Sequence, residues 1–413
     1  MPTEFFSSLE LPMVKPAGSD KIGEPQCGKC GLYKTCKSPK MPASGKGRMR
    51  ILVLAEAPGK DEDAQGKQLV GNSGRELEDT LDRLGVSMRK DCILHNSLIC
   101  RPPNNIISDR KWIDYCRPNT IRTIQEYRPK VIIALGGTAM QSLAGWLWKT
   151  KADQIGQTDP WVGMTIPAQQ INAWICPTYH PSYLLRQKDP VLEMFFERHL
   201  KAAVALAKKG KRPWKKGEVK SFLDSITIIT RPVLALKYIR HFIDEGKPVT
   251  FDYETNRGKP DGPGARIRCV SMSNGRATVA FEFGNSGVDS AWVDFLKSDT
   301  PKIAHNAKFE ERWSKAIFGV WPKNVINCTM DTAHVLDGRQ GITGLKFLSF
   351  VKLGQPDYDS HIQPYLKGKG SYGNNRVFDL PVETVLRYCA IDSLCEHRLW
   401  ELQNKERESY ARS

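Results

Sequence analysis

The sequence has no apolar run of the roughly 18–20 residues that a membrane span needs, so no transmembrane helix is expected. Its first residues, MPTEFFSSLELPM, carry acids and lack the basic segment that opens a secretory signal; they read as a loose leader and point to a cytoplasmic protein. Internal repeats and low-complexity tracts are also missing, which excludes a solenoid. Hydrophobic residues make up 40% and charged residues 26%, the composition of a soluble globular chain and not of a disordered, collagen-like or coiled-coil one. Acidic charge is scarce: 45 Asp and Glu stand against 61 Lys and Arg, a formal net charge of +16. That excess argues for a polyanionic partner, nucleic acid first. The 413 residues suffice for two or three domains at about 100–200 residues each.

Cysteine, in contrast, is plentiful. Eleven residues, an odd number without a signal peptide, argue against a disulfide scaffold and for thiol ligands or buried free thiols. Cys27 and Cys30 form a C-x-x-C in a loop-like stretch, so two thiolates can reach one metal centre, and Cys36 follows as a competing ligand. Cys100 and Cys116 each stand beside a loop signal, CRPPNN and CRPN. From spacing alone an iron–sulfur cluster, a zinc site and unrelated thiols are all open.

From residue 50 to about 208, short apolar runs alternate with helical patterns. RILVLAEAPG, CILHNSLIC, PKVIIALGG and AWICPTYHPS read as strands, which predicts an open parallel α/β sheet with helices on both faces. Ser73 reads as an N-cap of a helix that Gly85 stops, and PVLEMFFERHLKAAVALAKKG as a long amphipathic helix ending at Gly210. Residues 1–26 are then the leader, 27–208 the first domain and 209–220 a basic linker. In that linker Trp214, set among lysines, reads either as part of a solvated hinge or as a DNA contact. Residues 221–413 form a second domain in which strands come first and helices follow, a mixed α/β pattern.

In an open parallel sheet ligands bind outside the carboxyl ends of the strands. Glu56, Asn96 and His180 stand at three such ends. An amide reads a base edge with a paired donor and acceptor, an imidazole stabilises a developing anion, and a carboxylate holds water. The blocks EAPGKDEDAQGKQLVGNSG, NSLICRPPNN and YHPSYLLR resemble those of family 4 uracil-DNA glycosylases, the iron–sulfur class, over roughly residues 25–207. The resemblance implies a [4Fe–4S] cluster on Cys27, Cys30, Cys100 and Cys116, with Cys36, Cys92 and Cys176 as ordinary buried thiols. It also implies that Asn96 binds the uracil edge and His180 stabilises the leaving uracil anion. Glu56, with the backbone from Ala57 to Gly59, would line the pocket near the attacking water. Pro181, Ser182 and Tyr183 would form the DNA-facing loop that supports base flipping. Three positions depart from the family: Leu69 stands where an aromatic residue stacks on the uracil, Gln68 where the block has proline, and Ala55 where a glycine precedes the carboxylate. Loss of such a stacking platform costs about 1–3 kcal/mol per base.

In the second domain Asp252 and Glu254 lie two apart on a strand and so on one face. Asn306 and Glu310, and Tyr388 and Asp392, lie four apart, one helical turn. Three carboxylate-bearing elements suit a two-metal site, where Mg²⁺ or Mn²⁺ ions about 3.5–4 Å apart clamp both oxygens of a phosphodiester displacement. The order resembles the DnaQ-like 3′–5′ exonucleases, especially the proofreading domain of family A DNA polymerases, with the ribonuclease H-like fold that this implies. It places Asp252, Glu254, Glu310 and Asp392 on the metals, Asn306 near DNA and Tyr388 on the attacking water. Glu310 replaces the family's aspartate, and Asp331 matches a later acidic position read here as structural. The whole predicts a DNA-processing fusion, acting on single strands, 3′ ends and uracil-containing DNA. The alternative is a non-catalytic glycosylase-like module that docks on DNA or on a DNA polymerase and carries an exonuclease that proofreads in trans. The architecture would suit a phage, in which case the host cytoplasm is the expected location.

Overall fold

A computed structural model describes residues 22–148, 160–215 and 225–411. Residues 1–21 of the expected leader and 216–220 of the expected linker lie outside the described residues. The chain divides into two units, Met1–Trp214 and Lys215–Ser413.

The first unit runs α1 (Cys27–Cys30), β1 (Ile51–Ala55), α2 (Lys60–Gln65), α3 (Asn72–Arg83), α4 (Met88–Asp91), β2 (Cys92–Asn96), α5 (Lys111–Tyr127), β3 (Val131–Leu135), α6 (Gly136–Leu147), β4 (Ile166–Ala168), β5 (Ala173–Thr178), α7 (Pro181–Gln187) and α8 (Pro190–Lys209). The strand order is β2-β1-β3-β5-β4, parallel except for β4 against β5. Every residue of β1, β2 and β3 is buried, as expected of parallel strands covered on both faces. The four expected strands are all present. The edge strand β4 adds a fifth; its three residues contain Pro167 and carry too short a pattern to read. The chain leaves β1 for β2 on one side and returns to β3 on the other, so the switch point lies between β1 and β3.

Local signals set the helix ends. The sequence puts the N-cap of α3 at Ser73, but the helix starts at Asn72 after Gly71. The Glu62 carboxylate does the capping, with Oε1 accepting from the backbone N–H of Val70 (3.0 Å) and of Gly71 (2.8 Å). Asp189 caps α8 by accepting from the Val191 N–H at 2.8 Å, and Gly210 ends it at φ 66°. Beyond Gly210 the chain stays docked on the first unit. Arg212 donates to the carbonyls of Asn172 (2.7 Å) and Arg128 (2.9 Å), and the Trp214 indole N–H donates to the Pro167 carbonyl at 2.6 Å. Trp214 is thus tied to the sheet edge and is not a free side chain in a solvated hinge.

The second unit runs β6 (Ile226–Ile229), α9 (Pro232–Glu245), β7 (Val249–Thr255), β8 (Ile267–Ser273), β9 (Thr278–Phe281), α10 (Ser286–Lys297), β10 (Lys302–Ala304), α11 (Ala307–Phe318), β11 (Val325–Cys328), α12 (Thr329–Leu336), α13 (Leu345–Leu353), α14 (Gln363–Leu366) and α15 (Val382–Ala411). Its sheet has the order β11-β10-β7-β8-β9-β6, with β8 antiparallel to both neighbours and the other pairs parallel. This is the mixed α/β sheet read from the sequence, extended by β11. Alternation along β7 divides its labour. Val249, Phe251 and Tyr253 join an aromatic core with Trp292, Phe295 and Trp313. Thr250, Asp252 and Glu254 face the other way, toward α15, where Thr250 Oγ1 donates to the Ser393 carbonyl at 2.8 Å.

His95 in β2 gives the first unit an acid sensitivity. It is 3% exposed, and both ring nitrogens lack partners. Burial pushes its pKa down from 6.5 to about 4. Between those values the unfolded chain takes up a proton that the folded chain does not, so stability falls as pH drops through this window and levels off below it. The cost is about 3 kcal/mol. The urea midpoint of wild-type protein should therefore drop from pH 6.5 to 4, and a His95→Leu variant should show a flatter profile; parallel profiles would acquit His95.

Candidate active sites and metal centres

One turn of helix brings Cys27 and Cys30 onto a common face, and Gly31 ends it in the left-handed region at φ 72°. Cys100 follows β2, and Cys116 lies in α5, which meets the turn through Gln26 N–H donating to the Tyr115 carbonyl at 3.0 Å. All four thiols line one pocket, walled by Leu32, Tyr33, Leu98, Ile99 and Tyr115. Burial pushes Cys30 up, Cys116 to about 11 and Cys100 to about 12. Such thiols become thiolates only against a strong positive charge. The apolar wall and the all-thiol donor set fit an iron–sulfur cluster. Elsewhere among the described residues, Asp252, Glu254 and Cys389 bring three ligand atoms within 4.8 Å of one another. Amides already aim at the sulfurs: Lys40 N–H at Cys100 (3.2 Å) and Asn119 Nδ2 at Cys116 (3.5 Å). Cys92 and Cys176 sit in strands, both pushed to about 12 by burial. Cys36 is only half-buried and lies close enough to Cys100 to raise its pKa.

Glu56, Asn96 and His180 stand at the carboxyl ends of β1, β2 and β5. Thr138 Oγ1, at the start of α6, donates to Glu56 Oε2 at 2.9 Å and fixes that carboxylate. The Ser182 N–H points at His180 Nδ1 at 3.2 Å, with Ser182 Oγ at 2.8 Å. A backbone N–H can only donate, so Nδ1 accepts and the ring proton sits on Nε2. Burial lowers the His180 pKa against the pull of Glu56, which keeps the ring neutral. Ser182 therefore positions the imidazole, whatever else it touches. Gly136 is required here: its φ is 79°, and an added Cβ would come within 3.0 Å of the His180 Cβ. Ala57 packs against the cysteine cavity with Leu98 and Cys100. Gly59 donates to Glu62 Oε2 at 3.1 Å.

Leu69 is 7% exposed, belongs to the core cluster with Leu77 and Leu81, and has φ 52°. Arg89 holds this loop by donating to the carbonyls of Gln68 and Leu69, both at 2.7 Å. Glu62 and Arg89 escaped the sequence analysis. Glu62 lies in the acidic run KDED, which reads as a solvated helix start, and Arg89 is far away in sequence.

In the second unit the structure brings Glu254, Glu310 and Asp392 within electrostatic reach of Asp252. Asp252 is half-buried; Glu254 (8% exposed), Glu310 (2%) and Asp392 (4%) are buried. Burial, reinforced by Asp392, pushes Asp252 up to about 8. Burial, reinforced by Asp252, holds Glu254 and Glu310 well above the usual carboxylate range. The longer arm of Glu310 uses one oxygen to accept from the Tyr253 N–H at 3.2 Å. Asn306 caps α11 from the left-handed region (φ 65°), a conformation asparagine tolerates. Tyr388 is buried one turn before Asp392, and Asp331 is exposed on α12.

Three further groups join this site. Glu396, one turn beyond Asp392, is fully buried, accepts from the His305 N–H at 3.3 Å and leaves Oε2 without a partner. Its i+4 spacing from Asp392 was a usable signal. The Cys389 thiol donates to the Asp252 carbonyl at 3.3 Å. Lys346 of α13 pairs with Asp392. Buried carboxyl groups at this density hold their charge only with cations present, and their oxygen donors suit Mg²⁺ or Mn²⁺.

Comparison with known proteins accords with this geometry. Residues 42–207 match the uracil DNA glycosylase superfamily model, and residues 227–406 match the model described as 3'-5' exonuclease. The type-4 uracil-DNA glycosylase of Pyrobaculum aerophilum is 35% identical over 176 residues, 42% of this chain and 86% of that protein. Its counterpart in Saccharolobus solfataricus is 32% identical over 188 residues, 45% of this chain and 83% of that protein. Among solved structures, Escherichia coli RNase D aligns with a TM-score of 0.35 at 14% identity over 45% of each chain. No helix among the described residues is long and apolar enough to cross a membrane. The chain carries a uracil-DNA glycosylase-like domain followed by a 3′–5′ exonuclease domain, and through the first of these it belongs to the type-4 uracil-DNA glycosylase family.

Proposed function

We propose that the protein processes DNA at two sites, excising uracil with its first unit and trimming 3′ ends with its second. The observation that carries this reading is the convergence of five carboxyl groups around β7 and α15, an arrangement too costly to keep without metal chemistry. Divalent ions held by Asp252, Glu254, Glu310 and Asp392 would supply Lewis acidity to the attacking and leaving oxygens of a phosphodiester. Tyr388 orients the incoming water, and Asn306 faces the strand end.

In the first unit a flipped uracil meets Asn96, whose amide pairs with its donor–acceptor edge. His180 donates its Nε2 proton to the oxygen on which negative charge develops as the glycosidic bond breaks. Glu56, anchored by Thr138, holds the water that attacks the sugar. Cys27, Cys30, Cys100 and Cys116 would hold a [4Fe–4S] cluster whose role here is to close the cavity behind the Glu56–Gly59 loop. Leu98 lines that cavity and donates its backbone N–H to the Glu56 carbonyl at 2.9 Å. The net charge of +16 provides the long-range attraction to DNA.

Labelled oligonucleotides separate the two activities. His180→Ala should lower uracil release by about 10²–10³-fold while leaving Mg²⁺-dependent mononucleotide release intact. Asp252→Asn should do the reverse, with a loss of roughly 10²-fold or more in 3′ trimming. Trimming that survives Asp252→Asn would remove the metal-site assignment. Anaerobically purified protein should show broad visible absorption that Cys100→Ser abolishes; a colourless, iron-free wild type would refute the cluster.

A further inference from the structure

Lys346 lies outside every motif that marks the exonuclease site, yet its ammonium pairs with one of that site's carboxylates. Helix α13 packs on α15 through Leu345 and Leu348, which cluster with Ile391 and Cys395. That packing turns Lys346 toward Asp392, with which it forms an ion pair. The Nζ also donates to the Tyr358 hydroxyl at 3.1 Å. It sits 4.5 Å from the ring centre of Tyr358 and 4.2 Å from that of Tyr388, between two rings whose centres are 6.1 Å apart. The Tyr358 hydroxyl donates in turn to the same Asp392 oxygen at 2.5 Å. An ammonium between two aromatic faces is held by cation–π attraction as well as by its ion pair.

The charges around it explain why it is there. Asp252, Glu254, Asp359 and Asp392 all lie within its electrostatic reach, and on the basic side His305 does too. The Asp392 side chain is 5% exposed and that of Lys346 is 21% exposed, so water does little to screen the pair. The oxygen that Lys346 and Tyr358 occupy belongs to a carboxylate assigned above to a divalent ion. A carboxylate oxygen can give its strongest interaction to one cation at a time.

We propose that Lys346 is a built-in counter-ion that competes with the divalent metal for Asp392 and holds Asp392 and Tyr388 in place when the metal is absent. The inference rests on the two-metal reading of the site. Lys346 is a positioning residue here: metal binding must first draw its ammonium off Asp392, and the two tyrosine rings keep the displaced group close by. The competition makes a specific demand. A lysine that merely braced the helices would, on removal, leave metal affinity unchanged or weaken it. A competing cation would, on removal, strengthen it.

The test is Mn²⁺ binding to the full-length protein, read as free Mn²⁺ by electron paramagnetic resonance, with thermal stability measured in parallel in EDTA. Lys346→Met should bind Mn²⁺ about tenfold more tightly than wild type, a gain of about 1.4 kcal/mol. It should also melt lower in EDTA and recover that loss on adding Mn²⁺. Lys346→Gln, also uncharged but able to hydrogen-bond Asp392, covers the case in which the methionine variant does not fold, and should bind Mn²⁺ more tightly as well. Lys346→Arg keeps the charge and should stay within about threefold of wild type. Unchanged or weakened Mn²⁺ binding in the uncharged variants overturns the proposal. Failure of the underlying site looks different: wild-type protein would then bind no Mn²⁺ that Asp252→Asn removes.

Discussion

Both units bury clusters of groups that can carry negative charge, and containing that charge is the constraint on which their architecture depends. A lone buried carboxylate or thiolate costs several kcal/mol in effective terms. The second unit places Asp252, Glu254, Glu310, Asp392 and Glu396 around one strand and one helix, where burial raises every one of them. The first unit does the same with thiols at Cys30, Cys100 and Cys116. Each arrangement would become favourable on binding a cationic centre, and the apolar framework around it is what holds the donors together without one. The all-buried strands of the first sheet and the aromatic core beneath β7 provide that framework.

The alternation of β7 shows how framework and site share a strand. Its odd-numbered residues anchor the strand among Trp292, Phe295 and Trp313, while its even-numbered residues present Asp252 and Glu254 to α15. A one-residue slip would exchange the two sets and bury the carboxylates among aromatic rings. The hydrophobic core thus fixes the register that the chemistry needs. The first unit couples support and site differently. Ser97 and Leu98 donate to the carbonyls of Ala55 and Glu56, both at 2.9 Å, just before the chain reaches Cys100. The cysteine cavity and the loop bearing Glu56 therefore share a wall.

What the sequence disclosed follows from the range of each interaction. Strands β1, β2, β3 and β5 were legible because parallel strands leave continuous apolar runs, and D-x-E and Y-x-x-x-D because their spacing is local. Residues acting across long separations were not. Lys346 meets Asp392 from 46 positions away, and Arg89 clamps Gln68 from 21; no periodicity marks either pairing. Trp214 misled for a related reason. Its neighbours are lysines, but its indole is satisfied by Pro167, 47 positions back. Strands β4 and β11, three and four residues long, are held by their neighbours more than by their own pattern.

The leucine at position 69 bears on this division between loop and side chain. Its backbone sits at φ 52°, a conformation that a branched side chain does not favour. Arg89 grips the carbonyls of residues 68 and 69, Glu62 accepts from the amides of residues 70 and 71, and Gln68 donates to the Pro42 carbonyl at 2.8 Å. The loop is thus shaped by partners other than Leu69. The Leu69 side chain itself packs into the core cluster with Leu77 and Leu81. Asn96 and His180, in contrast, stand at the ends of β2 and β5, where the sheet and not a loop sets their position.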